Sequence, residues 1–295
     1  MEKQRILIFG GTGMLGHKLV QMLSGQFDVW TTVRGRFEGL EKFGIYDPAR
    51  VIEGVDAADP ETARRSIDSV RPDTVINAVG IIKQLPTAND VIQTLTINSI
   101  FPHRLAEWSL KYGFRTICIS TDCVFSGKTG LYKEEDVSDA YDLYGKSKNL
   151  GEVTQGDCVT VRTSIIGREL GTSHSLVDWF LSNRGGTVRG YANAIYSGFP
   201  TVVFTDIIVD LITKYRKLRG LYHISSEPIN KYDLLKLVNE KYNAGITIER
   251  DESFRIDRSL DSTKFRKETG YTPPSWDDMI SRMAADPTPY DIWKK

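Results

Sequence analysis

The chain has few of the residues that mark several classes of protein. Its 295 residues include only three cysteines, an odd number without metal-ligand spacing, so we expect no metal and a reducing cytoplasm rather than an export route. Thirty-eight basic residues balance 38 acidic ones without a lysine or arginine run, which excludes an extended nucleic-acid or membrane-surface contact. The longest apolar stretch, 199–212, is interrupted by Thr205, Asp206 and Asp210 and is too short for a membrane span. No signal-peptide pattern precedes the first apolar run, so we expect a cytoplasmic protein.

A strand pattern followed by a glycine turn opens the chain. Residues 5–9 read Arg-Ile-Leu-Ile-Phe, and Gly-Gly-Thr-Gly-Met-Leu-Gly at 10–16 leads into an apolar-periodic helix. This is the context of a dinucleotide-binding motif, in which the helix amino terminus faces the phosphates. Gly10 permits the tight turn, Gly13 lets the backbone approach the pyrophosphate, and Gly16 lets helix and strand pack closely. The other members of this predicted cofactor-binding turn are Thr12, Met14 and Leu15.

A phenol and an ammonium stand four residues apart near the middle of the chain. If 141–152 is helical, Tyr144 and Lys148 project from one face. Lowering the pKa of a tyrosine by about three units takes roughly 4 kcal/mol, which the lysine and a bound cationic nicotinamide would share. Thr121, after an apolar strand pattern, would hydrogen-bond the substrate oxygen. These residues predict a carbonyl-reducing site, although an ordinary helix surface also explains the tyrosine and the lysine taken alone.

The residue after the second strand pattern, 27–33, indicates which cofactor is used. An enzyme that prefers NAD usually has an acid there to bind the ribose hydroxyls. This chain has Arg34, whose guanidinium suits a 2′-phosphate by charge and by geometry. We therefore expect the cofactor to be NADPH. The alternative is that Arg34 is a solvated loop residue with no role in cofactor binding.

Polar and small residues also follow the third and fourth strand patterns. Asp56, followed by Ala57, is placed to accept a hydrogen bond from the adenine amino group. Asn77, Ala78 and Val79 stand where the cofactor would cross the sheet. Asn77 is equally consistent with a simple strand-end cap.

Strand and helix patterns alternate through the first half of the chain. The predicted strands are 5–9, 27–33, 51–56, 74–79, 115–120 and 158–163. This order predicts an α/β fold with a Rossmann-type, doubly wound parallel sheet that binds ligands at the carboxyl ends of its strands. After Gly167 the pattern changes to loops, followed by a helix near 206–217, a strand at 221–225 and helices near 230–241 and 275–284.

Two domains follow from this change of pattern. We predict an NADP-binding domain over 1–167, rejoined by about 200–225. A smaller, mostly C-terminal substrate-binding domain would comprise 168–199 and 226–295.

Several segments together resemble a known family. They are the glycine turn at 10–16, Ser-Thr-Asp-Cys-Val-Phe-Ser-Gly at 120–127, Tyr-Gly-Lys-Ser-Lys at 144–148, Val-Arg-Thr-Ser at 161–164, Gly-Leu-Tyr-His-Ile-Ser at 220–225 and Arg-Ser-Leu-Asp at 258–261. With them the chain resembles the extended short-chain dehydrogenase/reductases, and within these the nucleotide-sugar 4-ketoreductases of the dTDP-4-dehydrorhamnose reductase family. The first half matches specifically and the last hundred residues match more loosely.

The resemblance implies hydride delivery from NADPH to the 4-keto carbon of a nucleotide-linked 4-keto-6-deoxyhexose, in the synthesis of deoxysugar or surface-polysaccharide precursors. It makes Tyr144 the proton donor, while Lys148 lowers the tyrosine pKa and holds the nicotinamide ribose. Thr121 polarises the carbonyl. The residues that it places against the sugar are Asp122, Val124 and Phe125.

The sugar pocket departs from this family at two places. Cys123 stands where an aromatic residue is usual, and Ile165-Ile166 occupies a segment that usually holds a tryptophan. The cysteine is placed as in GDP-fucose synthase, where a cysteine and a downstream histidine epimerise C3 and C5, and His174 is the candidate histidine here. A small buried cysteine and a loop histidine are the alternative, and we favour it. Trp179 would stack a nucleotide base or fill a core.

Two other functions remain open from the sequence. One is a bifunctional 3,5-epimerase/4-reductase, and the other is a non-catalytic NADP-binding regulatory subunit like that of methionine adenosyltransferase. The retained Thr121, Tyr144 and Lys148 argue against the second. The sequence also leaves open whether the nucleotide is dTDP, UDP or GDP, whether the sugar carries a C2 acetamido group, and whether the protein is a homodimer.

Overall fold

The strands and helices of the computed structural model are described for residues 3–84 and 86–294. The strands are β1 (Arg5–Phe9), β2 (Asp28–Thr32), β3 (Val51–Ile52), β4 (Thr74–Asn77), β5 (Arg115–Thr121), β6 (Cys158–Thr163), β7 (Ile165–Ile166), β8 (Thr187–Tyr196), β9 (Phe199–Pro200), β10 (Gly220–His223), β11 (Ile229–Asn230) and β12 (Thr247–Asp257). The α-helices are α1 (Met14–Leu23), α2 (Pro60–Val70), α3 (Val91–Leu95), α4 (Phe101–Tyr112), α5 (Leu143–Leu150), α6 (Leu176–Leu181), α7 (Thr201–Thr213), α8 (Lys231–Lys241), α9 (Thr263–Thr269), α10 (Trp276–Ala284) and α11 (Tyr290–Trp293).

The chain divides into two units. The first unit comprises Met1–Ser120, Tyr141–Val161 and Ile208–Leu221, and the second unit comprises Thr121–Ala140, Arg162–Ile207 and Tyr222–Lys295. This division differs from the predicted domains because 121–140 and 162–167 group with the second unit. In that unit the Tyr132 amide donates to the carbonyl of Ser259 at 3.0 Å, and Tyr132 forms a β-bridge with Leu260.

The large sheet has seven strands in the order β10-β6-β5-β4-β1-β2-β3. The paired strands β3, β2, β1, β4 and β5 run parallel. Ile6, Leu7 and Ile8 of β1 are completely buried, as expected for a strand covered on both faces. The strand order reverses between β1 and β4, which is the point where doubly wound sheets bind ligands. The predicted Rossmann-type fold is therefore confirmed.

A π-helical turn, Thr96–Ile100, separates α3 from α4 in the first unit. Phe101 begins α4 and packs edge-on against Phe9 of β1, with ring centroids 5.3 Å apart. The core on this side of the sheet also includes Val75 and Leu105. The apolar face of the helix thus lies against the strands of the switch point.

The second unit contains a three-stranded sheet, β11-β8-β12, and the strand pair β7-β9. Strand β12 runs parallel to β8, and β11 runs antiparallel to it. The loops predicted after Gly167 are confirmed over 167–175, but the strands β8, β11 and β12 were not predicted. The buried positions of β8 include Gly190, Ala192 and Ala194. Because these residues are small, the sequence of β8 does not show the alternation of large apolar and polar residues that is typical of a strand. Strand β12 is largely exposed and rich in charge, so it has no apolar pattern.

Other predicted segments hold with small changes at their ends. The third strand ends at Ile52 rather than at 56, because Gly54 turns the chain with φ +66°. Helix α7 begins at Thr201, five residues before the predicted start at 206. Within the described residues, no helix has the length and hydropathy needed to cross a membrane. The same residues contain no cluster of histidine, cysteine, aspartate or glutamate that could hold a metal ion.

Candidate active site

The glycine turn after β1 has the backbone geometry of a phosphate cradle. Gly10 has φ +88°, a conformation that favours glycine. A Cβ on Gly16 would lie 2.0 Å from the Gly10 carbonyl oxygen, so a side chain there would force α1 away from the turn. A Cβ on Gly13 would meet only that carbonyl oxygen, at 3.4 Å, which leaves space over this residue.

The amino terminus of α1 suits an anion. Gly13 is its N-cap residue and supplies no side-chain hydrogen bond, and the first turn contains no acid. The first amide groups of a helix lack partners within the helix and carry partial positive charge. This geometry fits the diphosphate of a dinucleotide.

Two residues outside the turn stabilise it from behind, and neither is visible in the sequence motif. A Cβ on Gly11 would lie 1.9 Å from Oγ1 of Thr31, whose hydroxyl donates to the Ile8 carbonyl at 3.0 Å. The Tyr46 hydroxyl donates to the Gly11 carbonyl at 2.9 Å, and burial raises the pKa of this tyrosine. Only the glycine was visible in the motif, because the tyrosine is 35 residues away.

The fourth strand brings its predicted cofactor residues to the glycine turn. A Cβ on Gly10 would lie 3.1 Å from both the Ala78 carbonyl and Cγ2 of Val79. Asn77 is buried, and its Oδ1 accepts a hydrogen bond from the Val79 amide at 3.2 Å. The asparagine therefore acts as a strand-end cap.

The predicted adenosine contacts lie after β2 and β3. Arg34 is exposed, and its side chain forms no hydrogen bond or ion pair with the described part of the chain. Asp56 is half-buried and accepts the Ala58 amide on Oδ1 at 2.9 Å, while Ala57 is buried. One oxygen of this carboxylate is thus used in a local turn.

Tyr144 and Lys148 both lie on α5. Asp142 is the N-cap residue of this helix and accepts the Gly145 amide at 2.8 Å. Lys148 is 8% exposed, and its ammonium donates to the Ile119 carbonyl of β5 at 2.7 Å. Burial lowers the pKa of this lysine. It forms no ion pair within 4 Å of the described carboxylates, although the charge of Glu152 partly opposes the effect of burial on its pKa.

The loop after β4 and the π-helical turn hold α5 in position. The Asn98 side chain accepts the Ile81 amide at 2.8 Å and donates to the Ile81 carbonyl at 3.0 Å. It also donates to the hydroxyl of Ser147 at 3.1 Å, and Ser99 donates to the Ser147 carbonyl at 2.7 Å. A Cβ on Gly151 would lie 1.9 Å from the Asn98 carbonyl oxygen. These contacts join residues about 50 or more positions apart along the chain or in different motifs, so the sequence motifs do not indicate them.

In the second unit, Thr121 begins a short polar network. Its hydroxyl donates to Oδ1 of Asp122 at 3.1 Å and accepts the Cys123 amide at 3.1 Å. Asp122 is buried, which raises the pKa of its carboxyl group, while the charges of Arg258 and Lys231 oppose the rise. The hydroxyl proton that a carbonyl substrate would need is therefore held by a carboxylate.

Val124 and Phe125 are completely buried, which argues against the predicted contact of their side chains with the sugar. The Phe125 ring stacks on Tyr132, with centroids 4.1 Å apart. The Arg162 guanidinium lies 5.1 Å from the Phe125 centroid and donates to Nε2 of His223 at 3.1 Å. Burial, followed by the charge of Arg162, lowers the pKa of His223 to about 4. These residues of the family motifs form a core.

The two candidate epimerase residues differ in their surroundings. Cys123 is half-buried, and Nη1 of Arg258 lies 3.7 Å from its sulfur. His174 is exposed in a turn where its amide donates to Glu169 at 2.8 Å. No hydrogen bond joins the cysteine and the histidine within the described residues. Trp179 of α6 is 41% exposed and therefore does not fill a core.

The fold and the glycine turn define a dinucleotide-binding α/β protein with a tyrosine and a buried lysine on one helix. Residues 4–288 match the family described as RmlD substrate binding domain, and the chain belongs to this family. It is 25% identical over 305 residues to dTDP-4-dehydrorhamnose reductase of Aggregatibacter actinomycetemcomitans, an alignment covering 95% of this chain and 98% of that protein. It is 26% identical to the spore coat polysaccharide biosynthesis protein SpsK of Bacillus subtilis, covering 94% and 95% of the two chains.

A solved structure shows the same fold. It is dTDP-4-dehydrorhamnose reductase from Bacillus anthracis in complex with NADP, with a TM-score of 0.78 and 21% sequence identity. The superposition covers 96% of this chain and 99% of the other.

Proposed function

We propose that this protein is an NADPH-dependent 4-ketoreductase that acts on a nucleotide-linked 4-keto-6-deoxyhexose. The support is membership of the RmlD family together with full-length relatives named dTDP-4-dehydrorhamnose reductase. The relative SpsK is named for spore coat polysaccharide biosynthesis, which supports a role in making surface-polysaccharide precursors.

The observation that carries this proposal is the environment of Lys148. Burying an ammonium is unfavourable, and buried groups with perturbed pKa values concentrate at functional sites. Its fixed hydrogen bond to the Ile119 carbonyl leaves two of its three N–H groups for other acceptors. A nicotinamide-ribose hydroxyl and the phenolate of Tyr144 are acceptors of the required kind.

The residues present fit NADP(H). The amide groups at the start of α1 would hold the diphosphate, and the open space over Gly13 would admit it. The exposed guanidinium of Arg34 would bind the 2′-phosphate. When bound, the cofactor supplies the hydride that reduces the carbonyl carbon.

Tyr144, Lys148 and Thr121 would deliver the proton to the carbonyl oxygen of the substrate. Tyr144 gives its hydroxyl proton to the carbonyl oxygen as the C–H bond forms at C4, and the positive charge of Lys148 stabilises the phenolate that remains. Thr121 would turn its hydroxyl proton from Asp122 to the same oxygen. In this proposal Asp122 keeps the threonine hydroxyl oriented before substrate binds.

The test measures turnover with a panel of dTDP-, UDP- and GDP-linked 4-keto-6-deoxyhexoses. Turnover is monitored through NADPH consumption, and the product is identified by NMR. We expect one of the substrates to be reduced at C4, and Tyr144→Phe to lower turnover by about two to four orders of magnitude with little change in NADPH affinity. Tight NADPH binding without reduction of any sugar would contradict the proposal and favour the non-catalytic regulatory subunit.

A second candidate is the bifunctional 3,5-epimerase/4-reductase. The contact between Arg258 and Cys123 favours it, because a nearby cation stabilises the thiolate that a base requires. In heavy water, an epimerase would give product with deuterium bound at C3 or C5, and Cys123→Ser would abolish this label. Unlabelled product, formed only from an already epimerised sugar, would leave a simple 4-ketoreductase, which we favour because His174 is exposed in a turn whose amides bind Glu169.

A further inference from the structure

A second lysine lies close to Tyr144. The Lys83 ammonium, from the loop after β4, lies 5.7 Å from the centroid of the Tyr144 ring. This is within the range of a cation–π interaction. The tyrosine is half-buried, so its ring is partly exposed on the surface of the first unit. Nothing in the sequence motif pointed to this lysine, which is 61 residues from the tyrosine in the chain.

Asp142 holds Lys83 in this position. Its Oδ2 forms an ion pair with the Lys83 ammonium at 2.7 Å, while its Oδ1 caps α5 by accepting the Gly145 amide at 2.8 Å. One carboxylate therefore joins the loop after β4 to the first turn of the helix that carries the tyrosine. Both side chains are partly exposed, at 37% for the lysine and 42% for the aspartate.

Three of the segments packed against α5 contain no charged residue, while His103 of α4 contacts the Leu150 carbonyl at the carboxyl end of the helix. The helix contacts the 3₁₀ turn Pro86–Asn89, α3 and the π-helical turn Thr96–Ile100. None of these contains a charged residue, and Asp90, between two of them, caps α3 by accepting the Gln93 amide. On α5 itself the buried Lys148 lies one turn beyond the tyrosine, and Lys146 is exposed.

We propose that Lys83 is a positioning residue for Tyr144: it holds the ring by a cation–π contact and favours the phenolate formed in the reaction. This inference rests on the proposed function. Negative charge develops on the phenol as its O–H bond breaks and the proton moves to the substrate oxygen. The ring of a phenolate is richer in electrons than that of a phenol, so an ammonium over its face stabilises the product of this step more than the reactant. Such an interaction acts on kcat rather than on substrate binding.

The test compares variants of the full chain in the 4-ketoreductase assay. Lys83→Met should lower kcat by about 5- to 20-fold, the range of a partly exposed cation–π interaction, and leave KM and the NADPH Kd unchanged. Lys83→Arg should restore kcat to within about twofold, because a guanidinium also binds aromatic faces and pairs with a carboxylate. Asp142→Asn keeps a residue that caps helices well but removes the ion pair, so it should lower kcat in the same direction. Adding it to Lys83→Met should cause little further loss.

Lys111→Met is the matched control. Lys111 lies 5.2 Å from the ring centroid of its neighbour Tyr112 on α4, so this variant removes the same type of contact elsewhere in the first unit. It should leave kcat unchanged.

Two results would overturn the inference. If Lys83→Met raises KM at unchanged kcat, the lysine binds substrate instead, and if neither parameter changes, its contact with the ring is incidental. The wild type and Tyr144→Phe, measured beside these variants, separate the two proposals. A wild type that reduces no sugar refutes the proposed function, and an active Tyr144→Phe refutes the role of the tyrosine. An inactive Tyr144→Phe with an unaffected Lys83→Met refutes only the role of the lysine.

Discussion

Replacing Lys148 with methionine should make the protein more stable while removing its activity. The side chain is 8% exposed, and its only hydrogen bond to the described residues is the one to the Ile119 carbonyl at 2.7 Å. Methionine has a similar length and no charge, so it fills the same space without the cost of burying an ammonium.

The size of the effect follows from two opposing terms. Replacing buried charges with apolar side chains of similar volume stabilises proteins by up to about 4 kcal/mol. The lost hydrogen bond costs about 1 kcal/mol. We therefore expect the free energy of unfolding to rise by about 1 to 3 kcal/mol, and Tm to rise by about 2 to 4 °C for each kcal/mol. Turnover should fall about a hundredfold or more, because the phenolate loses its neighbouring charge.

The gain in stability should depend on pH. Burial lowers the pKa of Lys148 from its ordinary 10.5, so between the folded and unfolded values the unfolded chain binds more protons than the folded protein. The stability of the wild type therefore rises with pH in this window, relative to the variant without the lysine. The advantage of Lys148→Met should be largest below the folded pKa and shrink as the pH approaches 10.5.

Urea unfolding at several pH values, with turnover measured in parallel, checks this prediction. Lys146→Met is the control, because Lys146 is exposed on the same helix and should affect neither property. A Lys148→Met variant that is clearly less stable than the wild type would show that the ammonium contributes net structural stability. The argument that assigns it to catalysis would then fail.

Three further predictions concern the cofactor site. Arg34→Ala should weaken NADPH binding by about 1.5 to 3 kcal/mol and leave NADH nearly unaffected, and equal losses in calorimetric titrations with the two cofactors would mean that the arginine does not bind the 2′-phosphate. Gly16→Ala should lower the free energy of unfolding by about 1 to 3 kcal/mol and impair NADPH binding, because its Cβ would lie 2.0 Å from the Gly10 carbonyl oxygen; unchanged denaturation and binding curves would show that α1 yields easily. Tyr46→Phe should cost about 1 kcal/mol of stability by removing the hydrogen bond to the Gly11 carbonyl, and thermal unfolding with and without NADPH would show whether the turn is also loosened for the cofactor.

The sequence predicted the features that depend on short segments. Strand β1, its glycine turn and α1 are encoded within 19 consecutive residues, Arg5 to Leu23, in which local periodicity and backbone freedom specify the structure. Tyr144 and Lys148 could be placed on one helix face because four residues make about one turn. These local rules also predicted the alternation of strands and helices, and hence the Rossmann-type fold.

The strands of the second unit could not be predicted in this way. In β8 the buried positions are occupied by small residues such as Ala192 and Ala194. In β12 most residues are exposed, and buried and exposed positions do not alternate. These segments form strands because they pair with each other, and their hydropathy patterns do not indicate it. Val124 and Phe125 illustrate the same limit, because the motif placed them at the sugar and packing against Tyr132 placed their side chains in a core.

By itself, the sequence identified the candidate groups for the chemistry, because the glycines, the phenol and the lysine lie in motifs of fixed local spacing. Only the tertiary structure decided what surrounds them. Tyr46 reaches the glycine turn, Asn98 holds α5, and Lys83 covers the Tyr144 ring from positions 35 to 61 residues away in the chain. Contacts between residues this far apart in the chain form when whole strands and helices pack together. They produce no periodic hydropathy pattern in the sequence from which they could be predicted.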